Sequence, residues 1–93
     1  MRLAKALDTP PNFYHWRSAG GAEVDLILER DGVFYPIEIK SSSKLSKHDT
    51  RGIISFRETY PKINIGLGLI IYTGSETYAL NENVLAMPWN VCV

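Results

Sequence analysis

The chain has one cysteine, no apolar run approaching the roughly 20 residues that cross a bilayer, and no net charge, ten Lys and Arg balancing ten Asp and Glu. Each shortage excludes something. A single thiol forms no internal disulfide, which fits a reducing cytoplasm, and Cys92 reads as a small hydrophobe near the C-terminus. Without long apolar runs or a signal-peptide core, the expected location is cytoplasmic and no membrane is an expected partner. Zero net charge gives no global attraction to nucleic acid. No Gly-rich phosphate loop ending in Gly-Lys-Ser/Thr occurs, so the chain is not expected to hydrolyse ATP alone. What remains is 93 residues with 45% hydrophobic content, enough for one domain over 1–93 around a single small core.

Charge is unevenly spread. Lys40, Lys44, Lys47, Arg51, Arg57 and Lys62 face only Asp49 and Glu58 across that stretch, a modest basic footprint directly after an acidic segment. Punctuation residues divide the chain. Met1 to Leu7 suits the last turns of a helix, stopped by Asp8-Thr9-Pro10-Pro11-Asn12. Phe13 to Ser18 reads as a strand with Tyr14 and Trp16 on one face, and Ala19 to Ala22 as a turn. Ser46 with Asp49 resembles a capping box for a helix reaching about Tyr60, where Pro61 follows. Ile53, Phe56 and Tyr60, joined by Ile54, form its apolar stripe. Gly52 costs that helix about 1 kcal/mol against alanine, and close packing is the compensating reason for it. Ile63 to Tyr72 is a nearly continuous apolar run, the pattern of a strand buried on both faces. Glu76–Leu80 and Val84–Met87 supply a last pair of strands. Three strands in a meander, a crossover helix, a central strand and an edge hairpin make an α/β mixed sheet.

The densest information lies between Glu23 and Ser41. Asp31-Gly32 is a favoured two-residue hairpin turn, so Arg30 pairs with Val33 and the register of both strands follows. Alternation then puts Val24, Leu26 and Leu28 on one face with Val33, Tyr35, Ile37 and Ile39, which the pattern marks as the core face. The other face carries Glu23, Asp25, Ile27 and Glu29 with Phe34, Pro36, Glu38 and Lys40. In that register Asp25 faces Glu38, and Glu23 faces Lys40. Two unit charges roughly 4.5 Å apart repel by about 3–4 kcal/mol at an effective dielectric near 20. A bound cation, the neighbouring lysine or a shared proton would relieve them.

Asp25 followed by Glu38-Ile39-Lys40 at the end of the next strand resembles the PD-(D/E)XK, or restriction-endonuclease-like, nuclease superfamily. Tyr14-His15-Trp16-Arg17, Gly21-Ala22-Glu23-Val24-Asp25, Pro36-Ile37-Glu38-Ile39-Lys40-Ser41-Ser42 and Phe56-Arg57-Glu58-Thr59-Tyr60-Pro61 occur in that order. Together they look like the C-terminal domain of unknown function that follows the ATPase module in a family of prokaryotic AAA-type ATPases. The resemblance implies a restriction-endonuclease-like sheet whose first core helix is truncated here, in a fragment of or remnant from a larger ATPase-associated protein. It departs from the superfamily in having no acid before Asp8.

The resemblance further implies a metal-dependent phosphodiesterase acting on DNA, its activity either retained or degenerate. The alternative is a non-catalytic accessory module serving an AAA-type ATPase. Asp25, Glu38 and the backbone carbonyl of Ile39 would hold Mg²⁺ or Mn²⁺, which favours oxygen ligands and retains water. Lys40 would orient the metal-bound water or stabilise the negative charge developing on the phosphate. Arg17, Ser41, Ser42, Lys44, Lys47 and Arg51 are candidate contacts to a nucleic-acid backbone. Each also has a plainer reading. Arg17 equally suits an ion pair with Glu23, Glu23 one with Lys40, and Lys47 with Arg51 a solvated helix face. His15 and His48 read as ordinary polar residues, and Trp16, Tyr78 and Trp89 as packing. An uncovered first strand favours a homodimer.

Overall fold

Hairpin chemistry sets the frame. The computed structural model describes residues 12–91, so the expected helix at Met1–Leu7, most of its breaker, and Cys92 lie outside the described residues. Strands β2 (Glu23–Arg30) and β3 (Val33–Ile39) are joined by Asp31 and Gly32, which adopt φ of 54° and 81°. Positive φ at both central residues is the tight turn that Asp-Gly favours. Arg30 pairs with Val33, and the register runs without a slip to Leu26 opposite Ile37, as the turn arithmetic requires. Strand β1 (Asn12–Arg17) pairs antiparallel with β2. There β2 carries one extra residue, because Tyr14 faces Ile27 while Trp16 faces Val24. This bulge turns Val24 onto the same face as Ile27.

The bulge and the helix overturn the expected core face. Helix α1 (Arg51–Thr59) covers the side bearing Ile27, Pro36 and Glu38, and the core gathers Val24, Ile27, Ile53, Phe56, Ile70 and Val84. Leu26, Leu28, Val33, Tyr35 and Ile37 are only half-buried, and Ile39 is 61% exposed. By alternation alone the face with Glu23, Asp25, Glu29, Glu38 and Lys40 beside Ile27, Phe34 and Pro36 is the less apolar of the two. The helix nonetheless settles on that face, with Ile27 and Pro36 buried beneath it. Glu38 therefore lies buried on the helix-covered side, while Asp25 remains exposed.

The helix itself is shorter than its apolar pattern. A 3₁₀ turn over Lys47–Thr50 precedes α1. Ser46 N–H donates to Asp49 Oδ2 at 2.9 Å, one half of the expected reciprocal cap. Tyr60 closes the helix with its N–H donating to the Phe56 carbonyl, and Pro61 follows. Ile53 and Phe56 are buried as the stripe predicts, but Ile54 is 39% exposed and does not join it. The long run after Pro61 is also divided. It forms β4 (Asn64–Ile65) and β5 (Gly68–Tyr72), separated at Gly66 and Leu67, and β5 alternates buried with half-buried residues instead of being sealed on both faces. Then β6 (Tyr78–Asn81) and β7 (Val84–Pro88) complete a seven-stranded mixed sheet of order β1-β2-β3-β5-β7-β6, with β4 beside β3. β5 runs parallel to β3 and to β7, and the antiparallel β6 forms the far edge. The α/β mixed sheet with a meander, crossover helix and edge hairpin is thus observed.

Candidate functional site

At the open end of the β2–β3 hairpin, two acids replace the ladder. Regular pairing stops at Leu26 and Ile37, one step before Asp25 and Glu38. Beyond it the Asp25 N–H donates to Glu38 Oε1 at 3.0 Å, and the Ile39 N–H donates to Asp25 Oδ2 at 2.9 Å. Each carboxylate thus takes an amide from the opposite strand just where the regular backbone pairing has ended. Amide donors offset part of the repulsion between facing carboxylates. Lys40 adds a third positive influence, its Nζ 4.0 Å from Glu38 Oε2. Lys40 N–H meanwhile donates to the Ile71 carbonyl on β5. N–H and C=O of one residue point to the same side of an extended strand, so alternate residues of β3 serve alternate neighbours. By that rule the Ile39 carbonyl is directed to the β2 side, with its N–H.

The two acids differ in environment. Asp25 is exposed, whereas Glu38 retains 6% of its surface. Burial pushes the Glu38 carboxyl above its ordinary pKa, with the nearby Asp25 charge adding to the rise; the Asp25 amide and Lys40 oppose it. The acids stand in a cavity of about 640 Å³ whose wall includes Glu23, Asp25, Glu38, Lys40, His48, Asp49, Arg51, Gly52 and Ser55. Gly52 sets the closeness of helix and sheet. A Cβ there would lie 2.1 Å from the Glu23 carbonyl oxygen and 3.2 Å from Glu38 Oε2.

The structure brings Asp25, Glu38, Lys40 and Arg51 to one cavity, with Ile39 attached through its backbone. Arg17 is elsewhere engaged: its Nη2 is 2.9 Å from Glu23 Oε1, and His15 Nε2 lies 3.4 Å from Glu23 Oε2. Glu23 is held by these two, not by Lys40, and the Arg17 hydrogen bond lowers its pKa. Ser42 Oγ donates to the Lys44 carbonyl and accepts the Lys44 N–H, which shapes its own loop. Ser41, Ser42, Lys44 and Lys47 are exposed and stand outside the cavity wall. Sequence reasoning missed His48, Gly52 and Ser55 as cavity residues. With Arg51 they recur at positions i, i+3, i+4 and i+7, a face beside the buried stripe of Ile53 and Phe56, and that spacing was the available signal. Among the described residues no group of three or more His, Cys, Asp or Glu side chains stands at metal-holding spacing. No helix of the described residues is long and apolar enough to cross a membrane.

The chain is 32% identical over 83 residues to the uncharacterized protein Rv2008c of Mycobacterium tuberculosis, and to the same degree to Mb2031c of Mycobacterium bovis. These alignments cover 89% of the chain but 18% of each relative. No solved structure matches it. The family model described as a domain of unknown function, DUF4143, matches residues 1–92, so the β2–β3 hairpin with its paired acids sits inside a domain that belongs to the DUF4143 family.

Proposed function

We propose that the cavity is a divalent-cation site for phosphodiester cleavage in DNA, built on a restriction-endonuclease-like fold of the PD-(D/E)XK kind. One observation carries this reading. Asp25 and Glu38 each spend one carboxylate oxygen on the opposite strand's amide, which fixes both side chains in one cavity beside Lys40. Two carboxylates and a backbone carbonyl suit Mg²⁺ or Mn²⁺, which needs few protein ligands because it keeps several waters. When bound, such an ion polarises the phosphate and lowers the pKa of water. The chain's own residues supply the rest. Lys40 stands where it neutralises charge growing on the phosphate, and Arg51 on the helix wall faces the same space. The crossover from β3 through α1 to the parallel β5 is an arrangement the resemblance implies, and it supports this reading.

Calorimetry with Mn²⁺ tests the site. Wild type should release or absorb heat, and Asp25→Asn, which keeps an oxygen for the Ile39 amide, should abolish it. Silence from the wild type removes the metal reading. In a plasmid-nicking assay with Mg²⁺ or Mn²⁺, Lys40→Ala should lower the rate by about 100-fold or more. Equal nicking by both proteins would show that this cavity is not the source.

A second reading, an accessory module of an AAA-type ATPase without chemistry of its own, has its own support. Both carboxylates already hold amide partners, and the domain spans a minor part of its relatives. Metal binding without nicking favours that reading.

A further inference from the structure

A second hollow lies beside the first. It measures about 380 Å³ and is walled by Tyr14, Trp16, Phe34, Phe56 and Tyr60 among others. The rings hold each other in place. Trp16 meets Phe56 edge-on at 5.3 Å and Tyr60 at 6.3 Å, and Trp16 Nε1 donates to the Tyr60 hydroxyl at 3.2 Å. Tyr14 is 47% and Tyr60 38% exposed, so aromatic surface faces outward at a site with almost no polar group.

Position links this groove to the carboxylates. Gly52 and Ser55 line the acidic cavity, while Phe56 and Tyr60, four and five residues further on, line the groove, an offset of roughly 6–7.5 Å along the helix axis. His15 borders the groove and touches the acid-bearing strand, its Nδ1 donating to the Asp25 carbonyl at 3.3 Å. Successive phosphates of a stacked strand rise about 3.4 Å, and an extended strand spans more. A strand crossing the cavity therefore brings a base to the rings. Size argues against a protein occupant, because eight residues line the groove and a standard protein interface uses about 20–30 on each side. A volume near the lower end for small-ligand pockets suits a flat ring.

We propose that the substrate is a single-stranded nucleic acid whose backbone crosses the carboxylate cavity while one base stacks in the Tyr14–Trp16–Tyr60 groove. A base paired inside a duplex has no free face for these rings; an unstacked one does. This specificity rests on the cleavage reading, but its binding half is separable from it.

The test is done in EDTA, where cleavage and metal binding play no part. The chain has two tryptophans, and Trp89→Phe at an exposed position leaves Trp16 as the sole reporter. Titration with a (dT)12 oligonucleotide should quench Trp16 emission, and a blunt 12-base-pair duplex should not. Tyr14→Ala should weaken (dT)12 binding by roughly 5- to 150-fold, and Tyr14→Phe, which keeps the ring, should bind within about twofold of wild type. Unchanged emission overturns the proposal, as does equal binding of duplex and single strand. If Tyr14→Ala fails to fold, the Trp16 signal and the Tyr14→Phe titration still decide. Emission that responds to protein concentration and ignores (dT)12 would mean a second copy fills the groove, which also overturns it. Asp25→Asn in EDTA should bind (dT)12 at least as tightly as wild type. Quenching that persists while Mn²⁺ calorimetry is silent would sink the cleavage reading and leave the groove standing.

Discussion

Gly52→Ala should destabilise this domain, although helix propensity alone says the opposite. Alanine in a helix interior gains about 1 kcal/mol over glycine. The new Cβ, however, would stand 2.1 Å from the Glu23 carbonyl oxygen, where real contacts begin near 3.0 Å, so α1 must back away by about 1 Å. The obstacle is backbone in the bulged strand β2, which cannot swing aside as a side chain would. Retreat of α1 also loosens Ile53 and Phe56, both buried on the sheet. Overpacking of this kind costs about 1–3 kcal/mol and more where neither side yields. Because the obstacle is backbone, the upper part of that range, about 2–3 kcal/mol, applies, and the net loss is about 1–2 kcal/mol. For a domain of this size that lowers Tm by about 4–16 °C. Ser55→Ala, one turn along the same helix, serves as the control and should be neutral or slightly stabilising. Thermal unfolding followed by circular dichroism measures both. A Gly52→Ala protein that melts above wild type would refute the claim that this glycine sets the distance between helix and hairpin.

Glu38→Gln should raise stability at neutral pH and do little in acid. Burial raises the folded-state pKa of Glu38 above the ordinary value of 4.5, so its ionisation weighs against folding. That penalty is absent below pH 4.5, grows as pH climbs from there through the raised value, and is constant above it. Melting curves between pH 4 and 8 should diverge in that direction; a constant offset would contradict it. Arg57→Ala should cost about 2 kcal/mol, because its Nη1 donates to the Gly66 carbonyl at 2.7 Å and its Nη2 to Ile65 at 3.4 Å, tying α1 to the segment before β5. Urea unfolding should show a lower midpoint, and a loss under 0.5 kcal/mol would mean those contacts are not held in solution.

The Asp31-Gly32 turn made the hairpin register readable, since two residues with positive φ leave a single way to align the strands. It did not show where the alignment ends. Asp25 and Glu38 face each other in the extrapolated register, and in the structure regular pairing stops one step before them and each side chain accepts an amide of the opposite strand. The core face was hidden for a related reason. An extra residue in β2 shifts Val24 across the sheet, and alternation has no means of registering a bulge whose residues are chemically ordinary. The acidic wall of the cavity came from strand residues close in sequence. The opposite wall, His48 to Ser55, depends on how closely α1 lies over β2, a distance that local sequence pattern does not encode.

The amides that Asp25 and Glu38 accept at the hairpin mouth tie architecture to any catalysis. Truncating either acid would strip a hydrogen-bond acceptor from the neighbouring strand, so selection for folding alone would retain an acceptor oxygen at both positions, as acid or as amide. A member of this lineage that had abandoned chemistry would still carry oxygens there, which makes turnover, and not the persistence of these two acceptors, the proper mark of an active enzyme.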